Sequence, residues 1–142
     1  MREELPKLVT ILLVEDNPHD AELAVRALRG GETRAAVSVA EDGQVALDLL
    51  DTMKPLPGLI IVDLNLPRVN GLELLAEIKA NPALRRIPVI VLTTSDRVED
   101  VTRSYESGAN GYVCKPLLFD DYSRALASIR EFWTRTAVLP TT

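Results

Sequence analysis

The stretch Leu59-Ile-Ile-Val-Asp63 decides the fold, because an apolar run of strand length leads directly into an acid and a Pro-containing loop. A run of about four to eight aliphatic residues bounded by polar, Gly or Pro residues is typical of a strand buried on both faces. Further runs of this kind occur at Val9–Val14, Ala36–Ala40, Pro88–Leu92 and Gly111–Cys114. The sequence therefore predicts five buried strands, with Asp63 directly after the third.

Segments with the spacing of amphipathic helices separate these strands and follow the last one. They cover Ala21–Leu28, Val45–Leu50, Leu72–Lys79, Val98–Tyr105 and Phe119–Trp133. Strict alternation of buried strands with amphipathic helices is typical of a parallel sheet with helices on both faces and right-handed crossovers. The predicted fold class is therefore α/β, a doubly wound five-stranded parallel sheet with five helices.

Capping residues support the predicted helix boundaries. Asn17 stands before Pro18, which is the order of a capping side chain and a first-turn proline, and Gly30-Gly31 follows where that helix should stop. The same signals of cap and stop occur at Asn70, at Asp96 with Glu99 three residues later, and at Gly108.

Length and composition indicate one globular domain of ordinary size. Of the 142 residues, 46% are hydrophobic, and 16 Lys and Arg against 21 Asp and Glu give a net charge of -5. This acidic balance argues against nucleic acid as a partner. The single Cys114 excludes an internal disulfide and favours a reducing, cytoplasmic setting. No signal peptide or membrane-spanning run is recognisable, so we expect no membrane partner.

Polar residues follow the predicted strands where each strand ends. They are Glu15-Asp16, Asp63, Thr93-Thr94 and Lys115-Pro116. Each alone is explained equally well by the chain emerging into water. Ligands of open parallel sheets bind at the carboxyl ends of the strands, where three acids, a hydroxyl and an ammonium would meet. Together, these residues predict a site at this edge.

The combination of acids with a lysine predicts phosphoryl chemistry. Clustered carboxylates repel one another, and Mg²⁺, a small cation that takes oxygen ligands, relieves that repulsion. A carboxylate such as Asp63 can attack phosphorus and form an acyl phosphate, while Mg²⁺ and Lys115 neutralise charge on the phosphoryl oxygens. Thr93 is placed to donate a hydrogen bond to one of those oxygens.

Four motifs carry a resemblance to a known family. They are LLVEDN (12–17), VDLNLPRVNG (62–71), IPVIVLTTS (87–95) and GANGYVCKP (108–116). In this order they resemble the receiver domain of bacterial two-component response regulators, from about Leu8 to Trp133. The resemblance implies a flavodoxin-like strand order of 2-1-3-4-5. It also implies an N-terminal tail at 1–7, a receiver domain at 8–134 and a C-terminal tail at 135–142.

The resemblance assigns roles to the acids of the predicted site. Asp63 would be the phosphoacceptor, and Asp16, Asp63 and the backbone carbonyl of Asn65 would hold Mg²⁺. Glu15 completes the acidic pair at a position where many receivers carry Asp, which would alter how directly it contacts the metal.

The resemblance also assigns the switch residues. Thr93 would be the switch hydroxyl, Tyr112 the switch aromatic and Lys115 the lysine of the site, with a cis peptide between Lys115 and Pro116. A switching ring packs inward in one state and outward in the other. Asn65 and Thr94 would border the path of attacking water and modulate dephosphorylation.

The C-terminal segment leaves two interpretations open. Phe132 and Trp133 either contact the core at the end of the last helix or form an apolar patch for another protein. The segment is similar to single-domain regulators that serve bacterial and cyanobacterial phytochrome kinases, which implies a homodimer through helix 4, strand 5, helix 5 and the tail. We expect His19 to be a surface histidine and Cys114 to be a small strand residue.

The expected function is that of a stand-alone response regulator. It would accept phosphate on Asp63 from a histidine kinase or phosphotransfer protein, possess no attached output domain, and turn over no external substrate. A phosphatase of the haloacid-dehalogenase type is an alternative, but it requires a DxD motif after the first strand, whereas Asn65 stands two residues after an acid of the third strand. A receiver fold that binds without phosphorylation is another alternative, against which the intact acid set argues.

Overall fold

Five parallel strands form the sheet of the computed structural model, in which residues 8–31 and 35–140 are described. The strands are β1 (Val9–Val14), β2 (Ala35–Ala40), β3 (Leu59–Val62), β4 (Val89–Thr93) and β5 (Gly111–Cys114). They lie in the spatial order β2-β1-β3-β4-β5, which confirms the predicted sheet and its topology. The predicted N-terminal tail, residues 1–7, lies outside the described residues.

Two predicted strands differ from the observed ones, by one residue at one end of β2 and by one residue at each end of β4. β2 begins one residue earlier than predicted, and β4 starts after Pro88 and includes Thr93. Proline has no backbone N–H to donate to a sheet, and the Pro88 carbonyl instead accepts from the backbone N–H of Ile60 at 3.0 Å. Thr93 therefore stands on the last position of β4.

Five α-helices cover the sheet, as predicted. They are α1 (Pro18–Arg29), α2 (Gly43–Thr52), α3 (Gly71–Ala80), α4 (Val98–Glu106) and α5 (Phe119–Glu131). A π-helical segment, Phe132–Thr136, extends α5 and was not predicted. No helix in the described ranges is long and apolar enough to cross a membrane.

The core consists of two apolar layers, one on each face of the sheet. Alternation along β1 decides which layer each residue joins: Ile11 and Leu13 pack with α1 and α5, whereas Leu12 and Val14 pack with α2 and α3. Successive side chains of a strand point to opposite faces. All four residues are buried because helices cover both faces, as expected from an uninterrupted apolar run.

Asparagine caps fix the starts of α1 and α3, as predicted. The Asn17 side chain accepts from the backbone N–H groups of His19 and Asp20, and the Asn70 side chain accepts from that of Glu73. Each bond satisfies a donor that a helix N-terminus leaves without a partner in the helix. The caps set the point at which each chain segment leaves the carboxyl edge of the sheet.

The predicted cap of α4 at Asp96 is wrong. The helix begins after Arg97, which makes no side-chain cap. The Ser95 hydroxyl accepts from the Arg97 backbone N–H at 3.3 Å and donates to the Asp100 carboxylate. Ser95 therefore organises the entry into α4, and Asp96 remains exposed.

Two glycines allow α2 and α3 to begin close to the loop that follows β3. A Cβ atom at Gly71 would overlap the carbonyl oxygen of Asp63 and the Cα atom of Leu64, and one at Gly43 would overlap the carbonyl of Val69. Backbone can approach this closely only where no Cβ stands in the way. The loop after Asp63 is therefore held between the starts of two helices.

Candidate functional site

The ends of neighbouring strands bring the predicted site residues to one edge of the sheet. Backbone hydrogen bonds continue past the strands: the Asp63 N–H donates to the Val14 carbonyl at 3.1 Å, and the Lys115 N–H donates to the Thr93 carbonyl at 2.6 Å. The Glu15 backbone is tied in the same way to β2. These bonds fix the backbone from which each functional side chain leaves.

Lys115 lies at the centre of the site and is almost completely buried. Its Nζ atom donates to Asp63 Oδ2 at 3.0 Å, to Asp20 Oδ2 at 3.1 Å and to Glu15 Oε1. An ammonium has three donor hydrogens, and each finds a carboxylate here. The predicted meeting of acids and lysine at this edge is thus observed.

Burial and charge pairing act on this group in opposite directions. Burial disfavours the charged lysine, but the hydrogen bonds from Lys115 to Glu15 and Asp63 outweigh burial and raise the pKa of Lys115. Burial also raises the pKa of Glu15, and the contact with Lys115 opposes that change. The ammonium is therefore a permanent cation of the site at neutral pH.

The acids of the site suit a divalent metal ion. Carboxylate oxygens of Glu15, Asp16 and Asp63 all lie within 4.8 Å of one another, the one group of three or more such ligands in the part of the chain that the structure describes. Glu15 and Asp63 are buried and Asp16 is exposed, so the group opens to solvent on one side. Oxygen ligands that keep an open side match what Mg²⁺ and related hard cations require.

The loop after Asp63 returns to the phosphoacceptor candidate. The backbone N–H of Asn65 donates to Asp63 Oδ1 at 3.1 Å, so both carboxylate oxygens of Asp63 are engaged, one by this N–H and one by Lys115. Asn65 itself is exposed at the mouth of the site. The orientation of the Asp63 carboxylate is therefore set from two sides.

The predicted switch residues lie on β4 and β5. Thr93 is fully buried, and its hydroxyl has no hydrogen-bond partner among the described residues, whereas Thr94 is exposed. Tyr112 is half-buried against the layer that packs on α2 and α3, and its hydroxyl donates to the Ser95 carbonyl at 2.8 Å. The ring is therefore packed against that layer and held through its hydroxyl by Ser95.

The predicted cis peptide between Lys115 and Pro116 is wrong. Within residues 8–31 and 35–140, the cis peptide bond is Lys54–Pro55. The trans form of an X–Pro bond is favoured by about 0.5–1 kcal/mol. Lys115 contacts its three carboxylates while its peptide bond to Pro116 is trans.

An ion pair on the far side of the Asp63 loop was missed by the sequence analysis. Arg68 donates through Nε and Nη2 to the Asp42 carboxylate at 3.1 and 3.0 Å, and Asp42 also caps α2 through the Val45 N–H. Arg68 has a φ of 63°, which is uncommon for a residue with a side chain. The partners are 26 residues apart, so no local pattern signals the pair.

Replacing Arg68 with asparagine is expected to raise the pKa of Asp42 toward its ordinary value of 3.8, because the Arg68 hydrogen bond is the main cause that lowers it. A lowered pKa stabilises the fold above the unfolded-state pKa, and that contribution is lost as pH falls through the folded-state pKa. Asparagine tolerates positive φ, so the backbone is not strained further. Carboxyl NMR titration measures the shift. An unchanged Asp42 pKa, or an equal shift in the control Arg86→Asn at an exposed arginine, would contradict the assignment.

Asp20 is the acid of the site that the sequence analysis missed. It stands in the first turn of α1, and its carboxylate contacts Lys115. The signal was present, because the cap at Asn17 starts α1 directly at the carboxyl edge of β1. Because α1 starts there, an acid in its first turn lies near the strand ends.

The residues predicted outside the site are also located. Trp133 packs partly buried against the layer of α1 and α5, while Phe132 is 50% exposed and meets the Trp133 ring edge-on at 5.1 Å. The core contact therefore applies to Trp133, and Phe132 is the exposed member of the pair. His19 and Cys114 are both exposed, and Cys114 ends β5.

Comparisons with known proteins agree with the fold. The model of the response regulator receiver domain matches residues 11–127. Response regulator Rcp1 of Synechocystis sp. is 40% identical over 145 residues, covering 99% of both chains. The phosphorylated cyanobacterial phytochrome response regulator RcpA has a TM-score of 0.91 and 38% identity, over 95% of this chain and 100% of its own. The Mn²⁺-bound form of Rcp1 has a TM-score of 0.88 and 40% identity, over 94% and 99%.

Proposed function

The chain belongs to the response regulator receiver domain family, and from this we propose that Asp63 accepts a phosphoryl group from a histidine kinase or a phosphotransfer protein. Its relatives include phytochrome response regulators, so we propose a phytochrome kinase as the donor. A receiver is not a classical enzyme that turns over external substrates. The observation that carries the assignment is the position of Asp63. Its buried carboxylate belongs to the metal-capable group with Glu15 and Asp16 and also contacts Lys115.

The transfer follows from the chemistry of the side chains. A carboxylate oxygen of Asp63 attacks phosphorus, the bond from phosphorus to the donor nitrogen breaks, and the donor leaves as a neutral imidazole that keeps the proton on its other ring nitrogen. Lys115 neutralises charge on the phosphoryl oxygens, and the Thr93 hydroxyl donates to one of them. Attack by water later returns the carboxylate and releases inorganic phosphate. The chain would promote both steps on itself.

The acids of the site fit a divalent cation, and we propose Mg²⁺. Asp16, Asp63, Glu15 and the backbone carbonyl of Asn65 would hold it. When bound, the ion supplies positive charge that favours the gathering of anionic oxygens at Asp63. The Mn²⁺ named for the similar Rcp1 structure supports a divalent ion in this class of site. Asn65 and Thr94, which are both exposed at the mouth, would modulate the access of water.

Signal output would run through the face made by α4, β5 and α5. The charge added at Asp63 draws in the Thr93 hydroxyl, and Tyr112, held by Ser95, repacks with α4. Val98 and Tyr105 expose apolar surface on α4, and Phe132 does so after α5. We propose that the receiver, residues 8–134, forms a homodimer through this face and the C-terminal tail after residue 134. The dimer would lie in the cytoplasm and have no nucleic acid or membrane partner.

Phosphorylation of Asp63 is tested by incubating the protein with Mg²⁺ and acetyl phosphate. The wild type should acquire one acid-labile phosphate, seen as a mass increase by intact mass spectrometry, and Asp63→Asn should acquire none because its amide is a poor nucleophile. Asp51→Asn, at an exposed acid of α2, should be labelled like the wild type. Equal labelling of Asp63→Asn and the wild type would contradict the assignment of Asp63 as the phosphoacceptor. Many turnovers of the wild type on phosphate esters would favour an enzyme instead.

A further inference from the structure

Asp20 is held in place through both its backbone N–H and its backbone carbonyl. Its backbone N–H donates to the Asn17 side chain at 3.1 Å, and its carbonyl accepts from the buried Tyr122 hydroxyl at 3.3 Å. The first contact is the cap of α1, and the second ties this turn to α5. The carboxylate is thereby directed at the Lys115 ammonium, at 3.1 Å, with 32% of the side chain still exposed.

Asp20 is a partner of the lysine and stands apart from the metal-capable acids. The group whose oxygens lie within 4.8 Å of one another consists of Glu15, Asp16 and Asp63, without Asp20. Lys115 nevertheless donates one of its three hydrogens to Asp20, a hydrogen that is then not available to a phosphoryl oxygen. Three carboxylates therefore contact the ammonium, and a fourth, that of Asp16, lies near two of them.

We propose that Asp20 is a positioning residue that acts through Lys115. Its carboxylate holds the ammonium and adds negative charge, so the site binds a divalent cation more tightly and an added anionic group on Asp63 less tightly. This inference rests on the proposed function. It deepens that function by assigning to α1 a residue that sets how readily the site is loaded.

Loss of the Asp20 charge should change the affinity for a divalent cation and the affinity for an anionic group on Asp63 in opposite directions. Removing the Asp20 charge weakens attraction for a cation, both directly and by leaving more of the Lys115 charge uncompensated. The same change frees a donor of Lys115 and lessens repulsion of an anion bonded to Asp63. Loss of structure alone would weaken both affinities together. The opposite signs therefore distinguish a positioning role from a structural one.

The test compares Asp20→Asn with the wild type in two equilibrium titrations. Mg²⁺ alone is titrated by calorimetry, and beryllium trifluoride, which bonds to a carboxylate oxygen as a phosphoryl mimic, is titrated at saturating Mg²⁺ by ¹⁹F NMR. The Kd for Mg²⁺ should rise and that for beryllium trifluoride should fall, each about 3- to 10-fold, as expected for one nearby and partly exposed charge. Asp20→Glu should restore wild-type values.

A matched control separates this contact from the overall charge of α1. Glu22→Gln removes an exposed carboxylate that pairs with Arg26 on the same helix, and both Kd values should stay unchanged. Wild-type values in Asp20→Asn, equal shifts in Glu22→Gln, or a fall of both affinities would overturn the proposal. Asp63→Asn distinguishes a failure of the proposed function from a failure of this inference. If Asp63→Asn still binds beryllium trifluoride, the proposed function is contradicted. If Asp63→Asn loses that binding while Asp20→Asn keeps both wild-type Kd values, only this inference is contradicted.

Discussion

Replacing Lys115 with methionine is expected to lower the free energy of unfolding by about 3–5 kcal/mol at pH 7 in metal-free buffer, because buried carboxylates lose their cation. Glu15 and Asp63 are 3% and 7% exposed, so water replaces the lost ammonium only in part. Methionine fills a similar volume, which limits any cavity effect. Urea denaturation followed by circular dichroism measures the loss.

Acid and metal should each restore part of the stability of Lys115→Met. Burial already raises the pKa of Glu15, and the variant removes the hydrogen bond from Lys115 that opposes this. A carboxyl with a raised pKa stabilises the fold below its unfolded-state pKa, and that contribution is lost as pH rises through the folded-state pKa. The variant should therefore become more stable as pH falls from 7 toward 5. Saturating Mg²⁺ should stabilise it at pH 7 by mass action.

Lys54→Met provides the control for Lys115→Met. Lys54 is exposed on the loop after α2, so its loss should change the free energy of unfolding by less than about 0.5 kcal/mol. If Lys115→Met cost no more than this control, or lost further stability in mild acid, the lysine would not be compensating buried carboxylates.

Replacing Gly71 with alanine is expected to cost about 2–3 kcal/mol of stability, because the new Cβ atom would overlap backbone atoms of Asp63 and Leu64. Backbone on both sides cannot move aside as a side chain end can, so either the loop after β3 or the start of α3 must shift. The shift moves the carboxylate of Asp63 relative to Lys115. The variant should therefore also bind Mg²⁺ several-fold more weakly, measured by calorimetry.

Gly111→Ala is the comparison for Gly71→Ala. Its Cβ atom would stand 3.1 Å from Ile90 Cδ1, the flexible end of a side chain on the neighbouring strand. Its effect on stability should be smaller, and Mg²⁺ affinity should not change. A Gly71→Ala variant as stable as Gly111→Ala would show that the loop has room that the structure denies it.

The fold was predictable because its signals are local. Uninterrupted apolar runs such as Leu59–Val62 mark buried strands, and Asn17 and Asn70 mark helix starts one turn at a time. The parallel arrangement then brings the strand ends to one edge, so the meeting of Asp63 with Lys115 followed without knowledge of side-chain positions. The order of the strands needed the family resemblance, since alternation alone does not fix it.

The features that sequence reasoning missed depend on contacts between distant segments. The pair of Arg68 with Asp42 and the contact of Asp20 with Lys115 join residues 26 and 95 positions apart. The cap predicted at Asp96 failed for another reason: α4 begins after Arg97 without a side-chain cap, and the Ser95 hydroxyl binds the Arg97 backbone N–H instead. Local propensity does not decide which of two adjacent short polar side chains binds the backbone ahead of a helix.

The unpartnered hydroxyl of Thr93 has a thermodynamic consequence for the resting protein. A buried hydroxyl without a hydrogen bond costs roughly 1–3 kcal/mol, and the Thr93 hydroxyl is buried with no protein partner among the described residues. An oxygen atom that arrives within its reach removes the penalty, which corresponds to a factor of about 5–150 in an equilibrium constant. Under the switch proposed for Thr93, part of the drive toward the phosphorylated conformation would then reside in the unphosphorylated chain, as a conformational bias that exists before the donor arrives.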